Sequence, residues 1–487
     1  MLNWKEQYQP ARLGEDLDQG VVRCHLSPRN CVIKEGKQGF CGVRGNRDGR
    51  LVTFNYGKGV HITEETIETE ACNHYSPGER ILSLGNVGCM LNCSYCHNWK
   101  TSQARYVSDK DIYLYTPEEV VETAIRHGIR VLSWTYNDPV VWHEFVRDTA
   151  KLGQEAGLIN LYKSAFFITE QAVDELLPYI DIFSISIKSI DDEYYRKLTT
   201  GWVQPVLDAT KQVYKAGKHV EVSTLMITDI SDDEATARKV AEWVLRDLGP
   251  EVPMHFVRFH PDYKMTETSR TPIPNLYRAR QIAKEMGVEH VYLGNVFEAA
   301  GTDTFCSNCG DTLVTRFGLN AQIFGLSEKG HCLRCGRDNH FKLMGPTPKV
   351  PEVDDFQSDG MTIRSFDWHG DIASLHVQVK NAADEPRSLY HRRRKAGGER
   401  QSWKKITLVP GESWRFIISK ATTDEAGPEV ALPNDMISNL HEVFDRAHFP
   451  TVALEDQSSV NDVSPLPYFQ GNQHRPKLSG GVTSSGE

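Results

Sequence analysis

Short β-prone segments alternate with helical patterns from residue 81 to residue 294, and this alternation restricts the fold more than any other feature of the chain. The predicted strands are Ile81–Gly85, Val131–Thr135, Leu158–Ser164, Ile182–Ile187, His219–Met226, Met254–Phe259 and His290–Leu293. The predicted helices are Pro117–His127 with Thr116 as N-cap, Glu170–Leu177, Val206–Ala216, Asp232–Asp247 and Pro274–Met286. Such repeats require parallel strands joined by crossovers, so the sequence predicts an α/β fold, either a doubly wound sheet or a full or partial (β/α) barrel.

Three closely spaced cysteines, Cys89, Cys93 and Cys96, directly follow the first predicted strand. Three thiolates can hold three irons of a [4Fe–4S] cube and leave the fourth iron open to a substrate or cofactor. In a barrel, chemistry gathers at the carboxyl ends of the strands, which is where this triplet lies. The alternatives are a structural zinc knuckle, with His97 as the fourth ligand, or buried free thiols.

The remaining cysteines also fall at positions that suggest metal ligands. Disulfides are not expected, because the eleven cysteines cluster in a long chain that begins without a secretion-signal pattern. Two Cys-x2-Cys pairs, Cys306/Cys309 and Cys332/Cys335, predict a tetrahedral site, with structural zinc favoured over an auxiliary iron–sulfur cluster. For the loosely spaced Cys24, Cys31 and Cys41, structural zinc, a second cluster and plain thiols all remain open.

Composition sets limits on the class of protein. A chain of 487 residues with 39% hydrophobic and 25% charged residues is typical of a globular protein of several domains. A net charge of −10 argues against a general binder of nucleic acid or anionic membranes. No apolar run approaches the roughly 20 residues that cross a bilayer, and the start lacks a signal-peptide pattern, so the expected location is the cytoplasm.

Changes of pattern along the chain predict five parts. These are a cysteine-containing segment (residues 1–75), the strand–helix barrel (76–299), a four-cysteine, zinc-ribbon-like region (300–345), a β-sandwich-like accessory domain (346–453) and a disordered tail (454–487). The accessory domain is predicted from alternating strands such as Leu375–Val379 and Trp414–Ile418, with turns at Asn381–Pro386 and Pro410–Ser413.

Polar side chains follow several other predicted strands. A polar turn, Trp134-Thr-Tyr-Asn-Asp-Pro139, ends the second strand, while Ser186 and Lys188 alternate at the end of the fourth. His260 follows Met254–Phe259, and Tyr95 offers an aromatic face beside the triplet. Each could be an ordinary residue satisfied by its neighbours, but together they predict one pocket over a barrel mouth.

The triplet, with Tyr95 before its last cysteine, resembles the signature of the radical SAM superfamily, and the strand-end groups resemble its activating-enzyme-like branch. The chain is similar to the AmmeMemoRadiSam-system radical SAM enzymes over roughly residues 20–340. The matching stretches are Cys24–Cys31, Gly39–Arg44, Asn98-Trp99, Thr135–Pro139, His255–Tyr263, Gly294-Asn295 and the paired Cys-x2-Cys region.

This resemblance implies a partial (β/α) barrel and a [4Fe–4S] cluster on Cys89, Cys93 and Cys96 that binds S-adenosylmethionine. One electron then cleaves the sulfonium C–S bond to methionine and a 5′-deoxyadenosyl radical, which abstracts hydrogen from a substrate. The cofactor contacts implied are Tyr95 to adenine; Tyr136, Asn137 and Asp138 near the methionine amino group; Lys188 near the carboxylate and ribose; His260 near adenine; and Ser186.

The chain departs from the family at two positions. Ser186 stands where the family often has an acidic residue, which weakens one expected cofactor contact. Ser27 stands where the family often has cysteine, which leaves three thiolates in the N-terminal group, with His25 or Cys72 as a conceivable fourth ligand.

The expected function is therefore radical SAM chemistry of an oxidoreductase type on an unidentified protein, peptide or small-molecule substrate. The resemblance implies an electron donor such as flavodoxin or ferredoxin, and no membrane or nucleic-acid partner is expected. The nearest rival is an activating enzyme that makes a glycyl radical in a partner protein. A rival of another class is a non-catalytic zinc-binding scaffold.

Overall fold

The computed structural model divides the chain into two compact units, residues 1–347 and 348–487. It describes residues 4–296 and 299–345 and, after these, the segments 354–358, 361–367, 374–381, 383–393, 403–408, 410, 413–419, 428–432, 454–456 and 463–464. The two units are described separately.

The first unit begins with small antiparallel sheets that carry the N-terminal cysteines. Its strands are β1 (Gln9–Pro10), β2 (Gly14–Leu17), β3 (Val21–Cys24), β4 (Cys31–Ile33), β5 (Arg44–Arg47), β6 (Arg50–Thr53) and β7 (Lys58–Thr66). Strands β2, β3 and β4 form one sheet, and β1, β6 and β5 form another. Strand β7 leaves this region and pairs antiparallel with the first barrel strand, so the N-terminal segment continues directly into the main sheet.

Strands and helices then alternate through the main sheet. The strands are β8 (Arg80–Asn86), β9 (Tyr113–Leu114), β10 (Val131–Thr135), β11 (Ile159–Ser164), β12 (Ile182–Ile187), β13 (His219–Met226), β14 (Met254–Arg258) and β15 (Val291–Gly294). The helices are α1 (Trp99–Ser102), α2 (Pro117–Arg126), α3 (His143–Glu155), α4 (Glu170–Leu176), α5 (Asp192–Thr199), α6 (Gln204–Lys215), α7 (Glu234–Asp247) and α8 (Ile273–Met286). In the part of the chain that the structure describes, no helix combines the length and apolar character needed to cross a bilayer.

The order of the parallel strands distinguishes a barrel from a doubly wound sheet. From β8 through β10 to β15 the strands neighbour one another in chain order, and every pair among them is parallel. A doubly wound sheet would reverse direction at a switch point, whereas right-handed crossovers without reversal place all helices on one face. The α/β fold of the radical SAM type, a partial (β/α) barrel, is thereby confirmed, and all strand carboxyl ends lie at one edge.

The predicted elements agree with the structure to within two residues at each end. Thr116 caps α2 as expected, accepting from Glu119 N at 3.2 Å while the Glu119 carboxylate accepts from Thr116 N at 3.0 Å. Of these helices, α1, α3 and α5 were not predicted. The inward face of α3 carries buried His143, Glu144 and Thr149, so its sequence lacks a clean apolar stripe.

A buried segment between β7 and β8 lies against the amino ends of the barrel strands. Ile67 and Cys72 pack there with Ile81, Val131 and Leu161. The segment includes a short 3-10 turn, Ile67–Glu70, and its packing partners lie within the first three residues of their strands. The preceding chain therefore fills the barrel at the amino ends of its strands, which we call the lower end of the barrel.

The carboxylate of Glu221 on β13 holds this segment in place. It accepts from the backbone N–H of Asn73 at 2.9 Å and of His74 at 2.7 Å. It also lies 3.0 Å from His219 Nε2 and 2.8 Å from His255 Nε2. Although burial alone would raise the pKa of Glu221, the two imidazoles bring it well below its ordinary value, so both ring nitrogens donate to an ionised carboxylate.

The first unit ends in the four-cysteine region, with α9 (Ala299–Thr302), β16 (Thr304–Phe305), β17 (Thr312–Phe317) and β18 (Asn320–Ile323). Backbone bonds tie it to the buried segment: Lys342 N donates to His74 O at 2.8 Å, and Ser76 N donates to Lys342 O at 2.8 Å. The buried Arg316 guanidinium reaches Glu68 at 3.4 Å and Asn73 O at 2.8 Å. The four-cysteine region is thus fixed to the lower end of the barrel.

The second unit contains two sheets in its described segments. Their strands are β19 (Asp354–Ser358), β20 (Met361–Asp367), β21 (Ser374–Asn381), β22 (Arg387–Arg393), β23 (Trp403–Leu408), β24 (Ser413–Ser419), β25 (Pro428–Leu432), β26 (Leu454–Asp456) and β27 (Val463–Ser464). The predicted strands 375–379 and 414–418 lie in β21 and β24, which pair antiparallel. Residues 411 and 412 of the predicted turn 410–413 and most of the predicted tail 454–487 lie outside the described residues. The sandwich arrangement and the finer domain boundaries stay predictions.

We expect Glu221→Gln to loosen the buried segment specifically. The amide nitrogen of glutamine would face N–H donors that now share a carboxylate, and breaking such a buried charged network costs about 3–5 kcal/mol. Native-state hydrogen exchange in the full chain should show this loss at the amides of Asn73 and His74. Glu234→Gln, which changes an exposed carboxylate, is the matched control; equal protection in both variants would contradict the role given to Glu221.

Candidate functional site

The loop after β8 carries the cysteine triplet and is held by backbone hydrogen bonds on two sides. Asn92 N and Ser94 N donate to Thr199 O and Leu198 O at 2.9 and 2.8 Å, at the end of α5. Gly88 has φ +89°, and a Cβ there would lie 2.7 Å from Val43 Cγ1, so only glycine fits this close approach. The backbone that presents the triplet is therefore fixed between α5 and the N-terminal segment.

The three triplet sulfurs are partly buried and spread apart. Cys89 Sγ accepts from Leu91 N at 3.4 Å, and Cys96 Sγ lies 3.4 Å from Ser102 Oγ. At least one pair of these sulfurs is farther apart than 4.8 Å, unlike the four-cysteine group described below. A single tetrahedral zinc ion would hold its sulfurs about 3.8 Å apart, whereas in an iron–sulfur cube each sulfur binds a different iron. The spread of this triplet fits the cube.

The thiols of Cys89 and Cys93 are neutral until a metal binds. Burial raises the pKa of Cys93 to about 12, against the opposing charge of Lys188, and raises that of Cys89 well above its ordinary value. Because metal ligands must be thiolates, loading this site releases protons.

The turn after β10 faces the triplet loop through a set of amide contacts. Tyr136 has φ 67°, a strained conformation for a tyrosine that is common at functional sites. Its carbonyl accepts from Asn98 Nδ2 at 2.7 Å. Asn137 donates its amide to Asn86 O and accepts from Thr101 Oγ1 at 3.3 Å. Asn98 and Thr101 follow the triplet directly, so the loop and the turn position each other.

Asp138 is buried and points toward the end of β11. Its carboxylate accepts from Ser164 Oγ at 2.7 Å and from Ala165 N at 2.8 Å. Burial raises the pKa of Asp138, and these hydrogen bonds together with the charge of Lys188 oppose the rise. Asp138 therefore joins the carboxyl ends of β10 and β11. It also interacts electrostatically with Lys188, which directly follows β12.

Lys188 and Ser186 take different positions on β12 and just after it. Lys188 is half-buried, and its charge acts on both Cys93 and Asp138, so it lies among the predicted site residues. Ser186 lies lower, with its hydroxyl 3.1 Å from Ser223 Oγ. The structure thus groups Lys188 with the triplet and links Ser186 to the polar interior of the barrel.

Tyr95 and His260 flank the triplet loop on the side of β14. The buried Tyr95 ring packs against Leu198 and Phe259, the latter edge-on with centroids 6.5 Å apart. His260 is exposed, and its carbonyl lies 3.1 Å from Nε2 of His97, the residue after Cys96. Both predicted residues border the triplet.

The barrel interior also contains a buried lysine, with a carboxylate near it, that the sequence analysis missed. Lys163 Nζ donates to Ser184 Oγ at 3.1 Å and Ser223 Oγ at 3.3 Å. Burial lowers the pKa of Lys163 to about 8, while the nearby carboxylate of Glu70 acts in the opposite direction. The available signal was a lysine within a strand whose neighbours are otherwise apolar or small.

The four-cysteine group is already arranged as a metal site. The sulfurs of Cys306, Cys309, Cys332 and Cys335 all lie within 4.8 Å of one another. Cys306 Sγ is 3.6 Å from Cys335 Sγ, and Cys309 Sγ is 3.7 Å from Cys332 Sγ. Hydrogen bonds from the Asn308 side chain and the Arg337 backbone lower the pKa of Cys335 to about 6, which favours the thiolate that a metal binds.

The N-terminal cysteines share one cavity, but neither suggested fourth ligand joins them. Cys24, Cys31 and Cys41 line this cavity together with Ser27. The ring nitrogens of His25 instead meet Asn30 at 2.9 Å and Glu15 at 3.0 Å. Cys72 lies in the barrel beside His219 and Glu221. The carboxylate oxygens of Glu221 already accept backbone N–H groups, so we assign Cys72 a structural role. The suggestion of either as the fourth ligand was wrong.

Comparison with known proteins agrees with this geometry. Residues 84–244 match the sequence profile of the radical SAM superfamily. An uncharacterized protein of Methanocaldococcus jannaschii is 39% identical over 324 residues, which cover 66% of this chain and 96% of that protein. Pyruvate formate-lyase 1-activating enzyme of Escherichia coli is 26% identical over 195 residues, covering 38% of this chain and 75% of the enzyme.

Solved structures show weaker similarity. A domain of pyruvate-formate lyase-activating enzyme from Bacteroides vulgatus has a TM-score of 0.30 at 16% identity, covering 34% of this chain and 98% of that one. A radical SAM methyltransferase from Sphaerobacter thermophilus has a TM-score of 0.35 at 14% identity, covering 48% of this chain and 71% of that one.

We expect the purified full chain to hold one metal ion in the four-cysteine group. Cys309→Ser should lower the content of that metal by about one ion per chain, because a closed tetrahedral site needs all four ligands. Elemental analysis by mass spectrometry measures this loss. Ser307→Ala in the same turn is the control, since Ser307 contributes its backbone N–H rather than its hydroxyl; an unchanged metal content in Cys309→Ser would show that this group binds no metal.

Proposed function

The chain belongs to the radical SAM superfamily, and we propose that it is an enzyme that cleaves S-adenosylmethionine reductively at a [4Fe–4S] cluster held by Cys89, Cys93 and Cys96. The observation that carries this proposal is that the triplet lies within the residues that match the superfamily profile. Its three sulfurs also do not all lie within 4.8 Å of one another, as a site preformed for one tetrahedral ion would require. Its position at the carboxyl end of β8 agrees with the place where barrels carry out chemistry.

When bound, the cluster and S-adenosylmethionine supply a one-electron cleavage that gives methionine and a 5′-deoxyadenosyl radical, which abstracts a substrate hydrogen. In this proposal Tyr136, Asn137 and Asp138 bind the methionine end of the cofactor. Asn98 fixes the Tyr136 carbonyl, so the turn is set before the cofactor arrives. Such preorganisation lowers the cost of binding and positions the reacting bond.

Lys188, Ser186, Tyr95 and His260 complete the proposed cofactor site. The Lys188 ammonium is a partner for the cofactor carboxylate and favours ionised thiolates through its effect on Cys93. Tyr95 and His260 offer ring surfaces beside the loop, which suit an adenine base. Ser186, bonded to Ser223, has the most distant role and orients polar groups below the cofactor.

The proposed chemistry identifies only the classes of electron donor and substrate. A low-potential carrier such as flavodoxin or ferredoxin supplies the electron. The substrate is a protein, peptide or small molecule that carries the hydrogen to be removed. Within this proposal the buried lower end of the barrel keeps water from the radical, because the segment from Ile67 to Cys72 fills it.

We propose zinc for the four-cysteine group. The two sulfur pairs at 3.6 and 3.7 Å match the spacing of about 3.8 Å that four Zn–S bonds of about 2.3 Å require. A cube would need a wider opening. The role of this zinc site is structural. Asn339 donates its side-chain amide to Cys306 Sγ at 3.6 Å, and the carbonyl of Asn339 is bonded to His74 in the segment below the barrel.

We expect Cys93→Ala to abolish formation of 5′-deoxyadenosine from S-adenosylmethionine under dithionite. One iron would lose its ligand, while the barrel strands stay intact because Cys93 lies in the loop. The measurement is chromatographic detection of 5′-deoxyadenosine with anaerobically reconstituted protein.

Ser94→Ala is the matched control, because Ser94 anchors the same loop through its backbone N–H and carbonyl only. Undiminished product in Cys93→Ala would refute the ligand assignment. Zinc at all cysteine groups, with no cube and no cleavage by the unmodified chain, would instead favour the non-catalytic scaffold.

A second candidate function is activation of a glycyl-radical enzyme. The similarity to pyruvate formate-lyase 1-activating enzyme supports it, at 26% identity over 195 residues. In that case the abstracted hydrogen comes from a glycine Cα of a partner protein. Electron paramagnetic resonance of a co-purified partner should then show a glycyl radical that depends on S-adenosylmethionine, and a diamagnetic partner would exclude this function for it.

A further inference from the structure

We propose that Cys24, Cys31 and Cys41 bind a second iron–sulfur cluster, of the [4Fe–4S] type with three cysteine ligands, in the cavity beside the triplet loop. Nothing in this assignment depends on the cleavage of S-adenosylmethionine. It is carried by the position of the three thiols, by the space between them and by a buried donor that lacks an acceptor.

The three thiols reach the cavity from one β-hairpin and from the turn that precedes β5. Cys24 on β3 and Cys31 on β4 are direct partners in the antiparallel register, so their side chains lie on the same face. Gly39 faces them, and a Cβ there would lie 3.6 Å from Cys31 Sγ. Cys41 follows two residues later and also lines this space, which is partly open.

The spacing of these sulfurs excludes a preformed site for one tetrahedral ion. They do not all lie within 4.8 Å of one another, in contrast to the four-cysteine group of the same chain. All three are free thiols, so no disulfide removes them as ligands. Three separated sulfurs around a cavity provide the same arrangement as Cys89, Cys93 and Cys96, with each sulfur available to a different iron.

A buried arginine gives an independent indication of an anionic occupant. Arg44 lines the cavity and is 1% exposed. Its terminal nitrogen donates to the Glu144 carboxylate at 2.9 and 3.0 Å, but its Nε has no hydrogen-bond partner among the described residues. A buried donor without an acceptor is unfavourable, and a cluster sulfide or thiolate would satisfy it.

A second arginine links the cavity to the triplet loop. Arg29 also lines the cavity, and its Nε donates to Met90 O at 2.9 Å. Met90, the residue after Cys89, forms part of the cavity wall. The Cys41 carbonyl would lie 3.2 Å from a Cβ at Gly88. Hydrogen bonds to sulfur and nearby cations are among the features by which proteins tune such clusters.

The test uses the full chain with Cys89→Ala, Cys93→Ala and Cys96→Ala combined, so the first cluster is absent whatever its function. After anaerobic reconstitution with Fe²⁺ and sulfide, we expect about four irons and about four acid-labile sulfides per chain to remain. Adding Cys31→Ser should remove them. Adding Cys72→Ser, which changes a buried thiol outside the cavity, should not.

A measurement without substitution in the cavity guards against misfolding of Cys31→Ser. In the reconstituted protein with the triplet removed, Cys31 and Cys41, which are partly exposed, should resist alkylation and become reactive after iron chelation. Iron-independent alkylation would overturn the proposal. So would a second zinc ion, beyond the one proposed for the four-cysteine group, in place of iron and sulfide, or iron and sulfide contents that Cys31→Ser leaves unchanged.

Discussion

The ionised carboxylate of Glu221 is the interaction on which the lower half of the barrel depends. It joins β13 to the buried segment through two backbone N–H groups and to β14 through His255. These backbone groups are buried, and a buried donor that lost its acceptor would be unfavourable. The same segment carries His74, which bonds to Tyr292 at 2.6 Å and to Asn339 O at 3.1 Å. One buried charge therefore connects the sheet, the chain that fills it and the four-cysteine region.

Two sets of cysteines that look alike in sequence differ in three dimensions. Spacing along the chain suggested metal binding for Cys89, Cys93 and Cys96 as well as for the Cys-x2-Cys pairs. In the structure the four sulfurs of the second group all lie within 4.8 Å of one another, whereas the three of the triplet do not. The number of metal atoms a site can hold is a property of backbone geometry, because tight knuckles bring sulfurs together and a long loop keeps them apart.

The barrel was predictable from sequence because its strands are short, apolar and separated by capped helices. Thr116 with Glu119 is a local signal that needs no tertiary context, and β10, β12 and β13 have the predicted ends. Helix α3 was not predictable in this way, since Glu144 on its inner face is satisfied by Arg44, a residue distant in the sequence. The interior pair of Lys163 and Glu70 was missed for the same reason: a buried charge depends on a partner that sequence spacing does not reveal.

The candidate site was predicted as residues at strand ends but not as a network. Asn98, Ser164 and Thr101 were absent from the predicted site, although they fix Tyr136, Asp138 and Asn137. Their contacts arise only when the loop after β8 folds over the turn after β10.

The close approach of Gly88 to Val43 has a consequence for how this barrel can be altered. The triplet loop uses the N-terminal segment as one of its walls, and β7 supplies the edge partner of β8. A shortened chain that began after residue 75 would lose that wall, the partner strand and the buried filling of the barrel together. Transferring the cysteine loop to another protein would therefore require carrying the preceding residues with it, as one inseparable piece.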